Sequence, residues 1–149
     1  DRQESQWASG PAKFEAGTPP VAQAVGLTAA IDFILEMGFD SITRHETELT
    51  QICLDKLQSE TDVEIYGPTT MESRAGVVAF NLRGVHPHDV AQVLNESGIA
   101  VRAGHHCTQV LHSKLGLQAS VRLSVGVYNT EEEILRLVTS LQHVRDLLK

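Results

Sequence analysis

Two different spacings of apolar residues constrain the fold of this chain more than any other feature. Up to about residue 59, apolar side chains recur every three or four positions, which is the period of a helix that packs along one face. From about residue 63 onward, short segments alternate apolar and polar residues as strands do, and helix-like stretches separate them. This order predicts an α+β, two-layer fold in which a small mixed or antiparallel sheet is covered by helices.

Start and stop signals give the bounds of the predicted helices. Thr18 precedes two prolines and an apolar stripe that ends at Gly38, which predicts a first helix over about 19–37 with Thr18 as its cap. A second stripe predicts a helix over about 41–59. A capping box that begins at Thr130 predicts a last helix at the end of the chain.

The alternating segments predict four strands. In the last of them, Val121 and Leu123 share one face, which leaves Arg122 on the opposite, polar face. The strands are predicted at residues 63–66, 77–82, 99–102 and 121–127, with a helix opened by Pro87 and a short helical stretch that ends at Gly116 between them.

Composition excludes several classes of partner. Nineteen acidic against twelve basic residues give a net charge of -7, and no run of Lys or Arg creates the field that nucleic acid or an anionic membrane needs. No apolar stretch approaches the ~20 residues that cross a bilayer, and two lone cysteines form no disulfide framework. We expect a soluble, cytoplasmic protein with one domain over 1–149, of which 1–13 is a flexible polar lead-in.

The segment RAGHHC, residues 102–107, is the strongest candidate for chemistry. It lies in a predicted loop, where flanking imidazoles and an arginine stabilise a thiolate, the form of a thiol that attacks electrophiles. These residue types favour Cys107 as a nucleophile. The alternative is that Cys107 is a small buried residue and that the histidines only cap a helix. Cys53 falls on the apolar stripe of the second predicted helix and is assigned to the core.

A zinc site is a competing interpretation of the same segment. Two adjacent histidines do not easily point at one ion, and no second pair of ligands at finger-like spacing is present in the sequence. We therefore expect no metal. The donors that such a site would use are His105, His106 and Cys107, with His86, His88 or His112.

Two further patterns suit anions. Arg122 is suited to hold a carboxylate through two parallel hydrogen bonds, and its alternative role is that of a solvated surface arginine. Gly17 and Thr18 precede a helix start and offer amides and a hydroxyl to a phosphate, which is a weak signal taken alone.

Three motifs occur in an order that resembles a known family. They are FEAGTPP at 14–20, RAGHHC at 102–107 with an arginine fifteen residues after its cysteine, and VYNTEEEI at 127–134. Together they resemble the C-terminal part of a SufS-like cysteine desulfurase of the class V aminotransferase family. The resemblance spans nearly the whole chain. It implies the C-terminal small domain of a fold-type-I enzyme that depends on pyridoxal 5'-phosphate.

The resemblance also implies roles for individual residues. Cys107 would attack the sulfur of the substrate and become a persulfide, releasing alanine, while Arg122 would bind the substrate carboxylate. Gly17 and Thr18 would reach across a homodimer interface to the cofactor phosphate of the other subunit. The remaining residues that would line the site near the thiol are Arg102, His105 and His106.

The chain departs from the family pattern in two places. Relatives commonly follow the cysteine with Ala and soon a Pro, whereas residues 108–111 here are Thr-Gln-Val-Leu, which is expected to alter the loop's rigidity or the fit of a sulfur acceptor modestly. In the family, the lysine that binds the cofactor covalently lies upstream of FEAGTPP. None of the lysines of this chain matches it, so the chain alone is expected to be inactive: Lys13, Lys56, Lys114 and Lys149.

The leading hypothesis is a homodimeric cysteine desulfurase that takes sulfur from L-cysteine for iron-sulfur cluster assembly and passes it to a SufE- or SufU-like acceptor protein. One alternative is a selenocysteine lyase of the same family. A second is a non-enzymatic module that carries sulfur or binds a metal.

Overall fold

The computed structural model describes residue 4 and residues 6–148, and these fall into two compact units that divide between Gly38 and Phe39. Each unit is described by itself. The expectation of one domain over 1–149, with a flexible lead-in, stays a prediction. Residues 1–3 and 5 of that lead-in, and Lys149, lie outside the described residues.

The first unit contains a short 3-10 helix, Gly10–Phe14, and helix α1, Val21–Met37. The helix begins two residues later than expected, because Pro20 rather than Thr18 is the capping residue and no side chain caps its amides. Gly38 ends the helix as predicted, with a φ of 80° and its N–H donated to the Ile34 carbonyl over 3.0 Å. No residue of α1 is buried, so its apolar stripe is exposed in this chain.

The second unit is an antiparallel sheet with helices packed on it. The strands lie in the order β1-β2-β4-β3, and every neighbouring pair is antiparallel. The α+β prediction is therefore confirmed. In chain order the elements are α2 (Phe39–Ser59), β1 (Val63–Tyr66), β2 (Val77–Leu82), α3 (Pro87–Glu96), β3 (Arg102–Gly104), α4 (Gln109–Lys114), β4 (Ser120–Ser124) and α5 (Glu131–Leu148), with a 3-10 turn at Met71–Ser73.

Alternation along the central strands explains where the core lies. Val78, Phe80 and Leu82 are buried on β2, and Val121 and Leu123 are buried beside them on β4. Since successive strand residues point to opposite faces, this places one apolar face of the sheet under the helices. The helices contribute their buried stripes to the same cluster: Leu49, Cys53, Leu54 and Leu57 of α2; Val90, Val93 and Leu94 of α3; and Ile134, Leu137, Leu141 and Val144 of α5. The assignment of Cys53 to the core is confirmed.

Two strand boundaries differ from those expected. Residues 99–101 are not a strand, because the Ile99 N–H bonds back to the Leu94 carbonyl at 2.9 Å and completes the exit from α3. The strand starts only at Arg102, where pairing with β4 begins. At the other end, β4 stops at Ser124 instead of 127, since the Gly126 N–H binds the Asn129 side chain at 2.9 Å and turns the chain.

The predicted capping box at the start of α5 is present. The Glu133 N–H donates to Thr130 Oγ1 at 3.4 Å, and the Thr130 N–H donates to Glu133 Oε2 at 3.1 Å. These reciprocal bonds satisfy amides that the first turn of a helix leaves without partners.

Among the described residues no single helix is long and apolar enough to cross a membrane. Helices α1 and α2 reach that length and apolar content only when taken together across the break between them.

An ion pair cluster joins the last helix to the segment that leads into β1. Arg145 of α5 donates from Nε and Nη2 to the two carboxylate oxygens of Asp62, at 3.0 and 2.7 Å, and from Nη2 to Glu60 at 2.7 Å. The arginine side chain is only 15% exposed. Because hydrogen bonding to Asp62 favours the charged form, the pKa of Arg145 is raised.

We expect Arg145→Met to lower the free energy of unfolding of this chain by about 1–3 kcal/mol, because two half-buried carboxylates lose the hydrogen bonds that the guanidinium donates to them. Urea denaturation measures the loss. Arg83→Met is the matched control, since Arg83 meets Glu64 at 3.7 Å with both side chains more than half exposed, and it should cost less than about 0.5 kcal/mol. Equal effects of the two substitutions would contradict a specific role for Arg145.

Candidate functional site

The loop between β3 and α4 presents Cys107 to solvent. Its thiol is exposed, whereas Cys53 is buried in the core. The alternative that Cys107 is a small buried residue is therefore wrong. The second part of that alternative, that the histidines only cap a helix, is wrong too, because Thr108 occupies the capping position of α4.

This loop turns sharply through two residues in the left-handed region. The φ values are 52° at His106 and 61° at Cys107. Left-handed backbone costs a residue with a side chain roughly 1–2 kcal/mol, so other contacts must hold the turn. Thr108 supplies two of them: its N–H and its hydroxyl both donate to the His105 carbonyl, at 2.8 and 2.7 Å.

A histidine anchors the other side of the turn to the sheet. His106 Nε2 lies 2.9 Å from the Ser120 carbonyl oxygen and 3.1 Å from its hydroxyl. Ser120 begins β4 and pairs directly with Gly104, the last residue of β3. Strand pairing thus brings the Cys107 turn back onto the edge of the neighbouring strand.

Two arginines face each other next to this turn. Arg102 of β3 is the register partner of Arg122 on β4. Directly opposed like charges on one sheet face are destabilising unless an anion lies between or near them. Arg122 Nε is also buried and has no hydrogen-bond partner within the described part of the chain. A buried donor without a partner beside a second arginine is suited to an anion, so these residues are candidates for an anion-binding role.

A cleft of about 320 Å³ adjoins these groups. Its wall combines apolar side chains with polar ones that come from β1, α4, β4 and the loop between β3 and α4. The polar and aromatic members of the wall are Tyr66, His106, Thr108, His112, Ser120 and Arg122. A smaller cavity of about 110 Å³, beside Gly98 and Glu133, contains none of the predicted site residues.

Electrostatics favour a neutral imidazole at His106. Burial lowers its pKa, and the positive charges of Arg122 and Arg102 lower it further, against the hydrogen bond to Ser120, which raises it. A neutral ring retains one nitrogen lone pair that is able to accept a proton.

The structure thus brings together most of the predicted site residues. Arg122 and His106 line the cleft, Arg102 is paired beside Arg122, and Cys107 follows His106 in the turn. His105 is exposed, and its ring meets His112 edge-on with the ring centres 5.5 Å apart.

The two residues predicted to meet a phosphate belong to the first unit. Gly17 has a φ of 91° and open space where a side chain would project, and Thr18 is exposed. The role of these residues stays a prediction.

The zinc interpretation gains no geometric support. No group of three or more His, Cys, Asp or Glu side chains that could hold a metal ion is found within residues 4 and 6–148. His86 and His88 instead stack on each other at the start of α3, with ring centres 5.2 Å apart.

Sequence reasoning overlooked two residues of the site. Ser120 was not singled out, and His112 was named only as a possible zinc donor, yet both are buried in contact with the Cys107 turn. The spacing of Thr108 and His112, four positions apart on a helix, was a signal for their contact.

Comparison with known proteins agrees with this geometry. The family described as aminotransferase class-V matches residues 1–137. The chain belongs to the class V aminotransferase family. The earlier resemblance to that family is thereby confirmed.

Individual relatives carry more specific names. The chain is 48% identical to a cysteine desulfurase of Haloferax volcanii, covering 97% of this chain and 34% of that protein. It is 51% identical to a probable cysteine desulfurase of Streptomyces coelicolor, over 95% of this chain and 34% of the relative. The chain thus spans about a third of the length of these relatives.

Solved structures show the same likeness. A cysteine desulfurase from Thermococcus onnurineus NA1 matches with a TM-score of 0.86 and 40% identity, over 96% of this chain and 36% of that one. The cysteine desulfurase CsdA from Escherichia coli, in an S-sulfonic acid form, matches with a TM-score of 0.84 and 32% identity, over 95% and 35%.

The family implies pyridoxal phosphate, and the residues present fit part of such a site. Arg122 Nε, buried and without a partner among residues 4 and 6–148, is a donor suited to the carboxylate of an amino-acid substrate that such a cofactor would bind. The described wall of the cleft contains no lysine, so the covalent attachment of the cofactor does not come from it.

We expect iodoacetamide at about pH 8 to alkylate Cys107 in the native protein and to spare Cys53. Burial raises the pKa of Cys53 to about 12, so its thiol stays protonated and shielded at that pH. Peptide mass spectrometry with and without a chelator measures both sites, and urea-unfolded protein is the control in which both react. A Cys107 that reacts only after chelation or unfolding would contradict an accessible nucleophile.

Proposed function

We propose that the full-length protein is a SufS-like, pyridoxal-phosphate-dependent cysteine desulfurase. It converts L-cysteine to L-alanine and leaves the sulfur on Cys107 as a persulfide, for use in iron-sulfur cluster assembly. The observation that carries the proposal is the exposed Cys107 on a turn beside two opposed arginines. The names of the relatives support the same activity.

The proposed reaction balances with no outside oxidant. The Cys107 thiolate attacks the substrate sulfur and forms an S–S bond, while the substrate C–S bond breaks and its electron pair stays on carbon. That carbon takes up a proton, so L-cysteine and the Cys107 thiol become L-alanine and the Cys107 persulfide. The bound pyridoxal phosphate supplies an electron sink for this chemistry.

Arg122 holds the substrate carboxylate in this proposal. The planar guanidinium offers two parallel N–H donors, and its buried Nε has no partner of its own in the described chain. The positive charge of Arg102 reinforces the same anion from the neighbouring strand. The carboxylate thus fixes the orientation of the substrate relative to the Cys107 turn.

His105 and His106 line the thiol in the proposed site. The lowered pKa of His106 keeps its ring neutral near neutral pH, so it is able to take a proton from a thiol. His105 is exposed at the rim and is assigned only to lining the entrance.

The remaining partners belong to the full-length, cytoplasmic homodimer that we propose. Gly17 and Thr18 would hold the cofactor phosphate of the other subunit, with the open backbone of Gly17 allowing close approach. The exposed position of Cys107 suits delivery of the persulfide to a SufE- or SufU-like acceptor protein.

We expect Cys107→Ala in the full-length protein to abolish alanine formation from L-cysteine, because no other exposed thiol is found in the described chain. The cofactor absorbance should be unchanged. Cys53→Ala is the matched control, and it should retain turnover per folded enzyme because Cys53 lies in the core. Undiminished turnover in Cys107→Ala would refute the assigned role.

Arg122→Lys should raise the KM for L-cysteine about tenfold, since losing one of two parallel hydrogen bonds costs about 1.4 kcal/mol of binding. Steady-state kinetics on the full-length enzyme measure it. Arg83→Lys, at an exposed arginine that directly follows β2, serves as the control of equal charge. An unaltered KM in Arg122→Lys would return Arg122 to the role of a surface arginine.

A further inference from the structure

A buried network of hydrogen bonds connects both flanks of Cys107 to one hydroxyl on β4. Ser120 Oγ lies 3.1 Å from His106 Nε2 and 3.0 Å from His112 Nε2. On its other side, His112 Nδ1 lies 3.1 Å from the Thr108 carbonyl oxygen. His106 precedes Cys107 and Thr108 follows it, so the chain of contacts encloses the turn from both sides. Neither Ser120, 1% exposed, nor His112, 5% exposed, is in contact with much water.

Two backbone carbonyls determine which ring nitrogens of His106 and His112 carry hydrogens in this network. A carbonyl oxygen only accepts, and the Thr108 hydroxyl, 3.3 Å from the same ring nitrogen, gives its hydrogen to the His105 carbonyl, so we assign a hydrogen to His112 Nδ1. In the tautomer of His112 with its only hydrogen on Nδ1, Nε2 accepts the Ser120 hydroxyl hydrogen. That leaves the Ser120 oxygen free to accept from His106 Nε2–H, which also donates to the Ser120 carbonyl. In this arrangement each N–H or O–H hydrogen of the network has an acceptor.

We propose that His112 and Ser120 are positioning residues that clamp the Cys107 turn, and that the two histidines hold opposite neutral tautomers. This inference rests on the proposed function, because Cys107 must be the reacting group. The clamp opposes the cost of two consecutive left-handed residues and keeps the thiol at a fixed place relative to Arg122. A small displacement of a reacting group lowers the rate of attack strongly and leaves substrate binding intact.

A further consequence concerns His106. With its hydrogen on Nε2, neutral His106 has its lone pair on Nδ1, the nitrogen left to exchange a proton in the site. The clamp therefore determines which nitrogen of His106 is able to accept a proton, and it also fixes the orientation of the ring.

The test is a double-mutant cycle in the full-length enzyme with Ser120→Ala, His112→Phe and the pair. Ser120→Ala removes only the shared hydroxyl, and His112→Phe keeps the ring volume while removing both hydrogen bonds. Each single variant should lower kcat about tenfold with the KM for L-cysteine unchanged, and the pair should be no worse than either. Ser120→Thr should restore most of kcat, and Ser113→Ala, exposed on α4, is the matched control that leaves kcat unaltered.

Nitrogen-15 NMR of histidine-labelled full-length protein gives a readout independent of turnover. It should show His112 protonated on Nδ1 and His106 on Nε2 at neutral pH. Three results would each overturn the clamp. They are the same tautomer at both rings, an unaltered kcat in Ser120→Ala, and effects of the two substitutions that multiply in the double variant. Ser120→Ala and Cys107→Ala are measured in the same assay. Loss of turnover in Cys107→Ala but not in Ser120→Ala refutes the clamp and leaves the proposed function standing. Full turnover in Cys107→Ala refutes the proposed function as well.

Discussion

The pairing of β3 with β4 is the interaction on which the site depends. It matches Arg102 with Arg122 and Gly104 with Ser120, so it determines both the placement of the two opposed arginines and the place where the Cys107 turn returns to the sheet. β3 is only three residues long and lies at the sheet edge, yet the predicted site residues of the second unit lie on it, on β4 or in the turn that follows it. Because β4 is also held by its pairing with β2, a shift of β3 by one residue would turn the Arg102 side chain to the opposite face of the sheet and away from Arg122.

The two faces of the sheet serve different purposes. One is covered by α2, α3 and α5 and provides the hydrophobic stabilisation that folds the unit. The other face contains two opposed arginines, one of which has a buried nitrogen with no partner among the described residues, and the loop beside it contains two left-handed residues. Such local costs persist only where the surrounding structure enforces them, and they concentrate at functional sites.

Most of the fold could be predicted from the sequence, because periodicity and caps act locally. The capping box of α5 and the glycine exit of α1 are examples, and the motif around Cys107 indicated the site. The clamp could not be predicted in this way. Ser120 and His112 become partners only when β4 pairs with β3 and α4 folds back over the turn, which are contacts between segments that local spacing does not encode. The early start predicted for β3 failed for a related reason, since residues 99–101 follow the exit of α3 instead of extending the ladder.

The most direct measurement of the central claim follows the sulfur atom itself. Full-length protein would be given L-cysteine that carries isotopically heavy sulfur, the products trapped by alkylation, and the peptides mapped by mass spectrometry. The account predicts heavy sulfur on Cys107, with none on the buried Cys53. Alanine formed while Cys107 carries no heavy sulfur would contradict it.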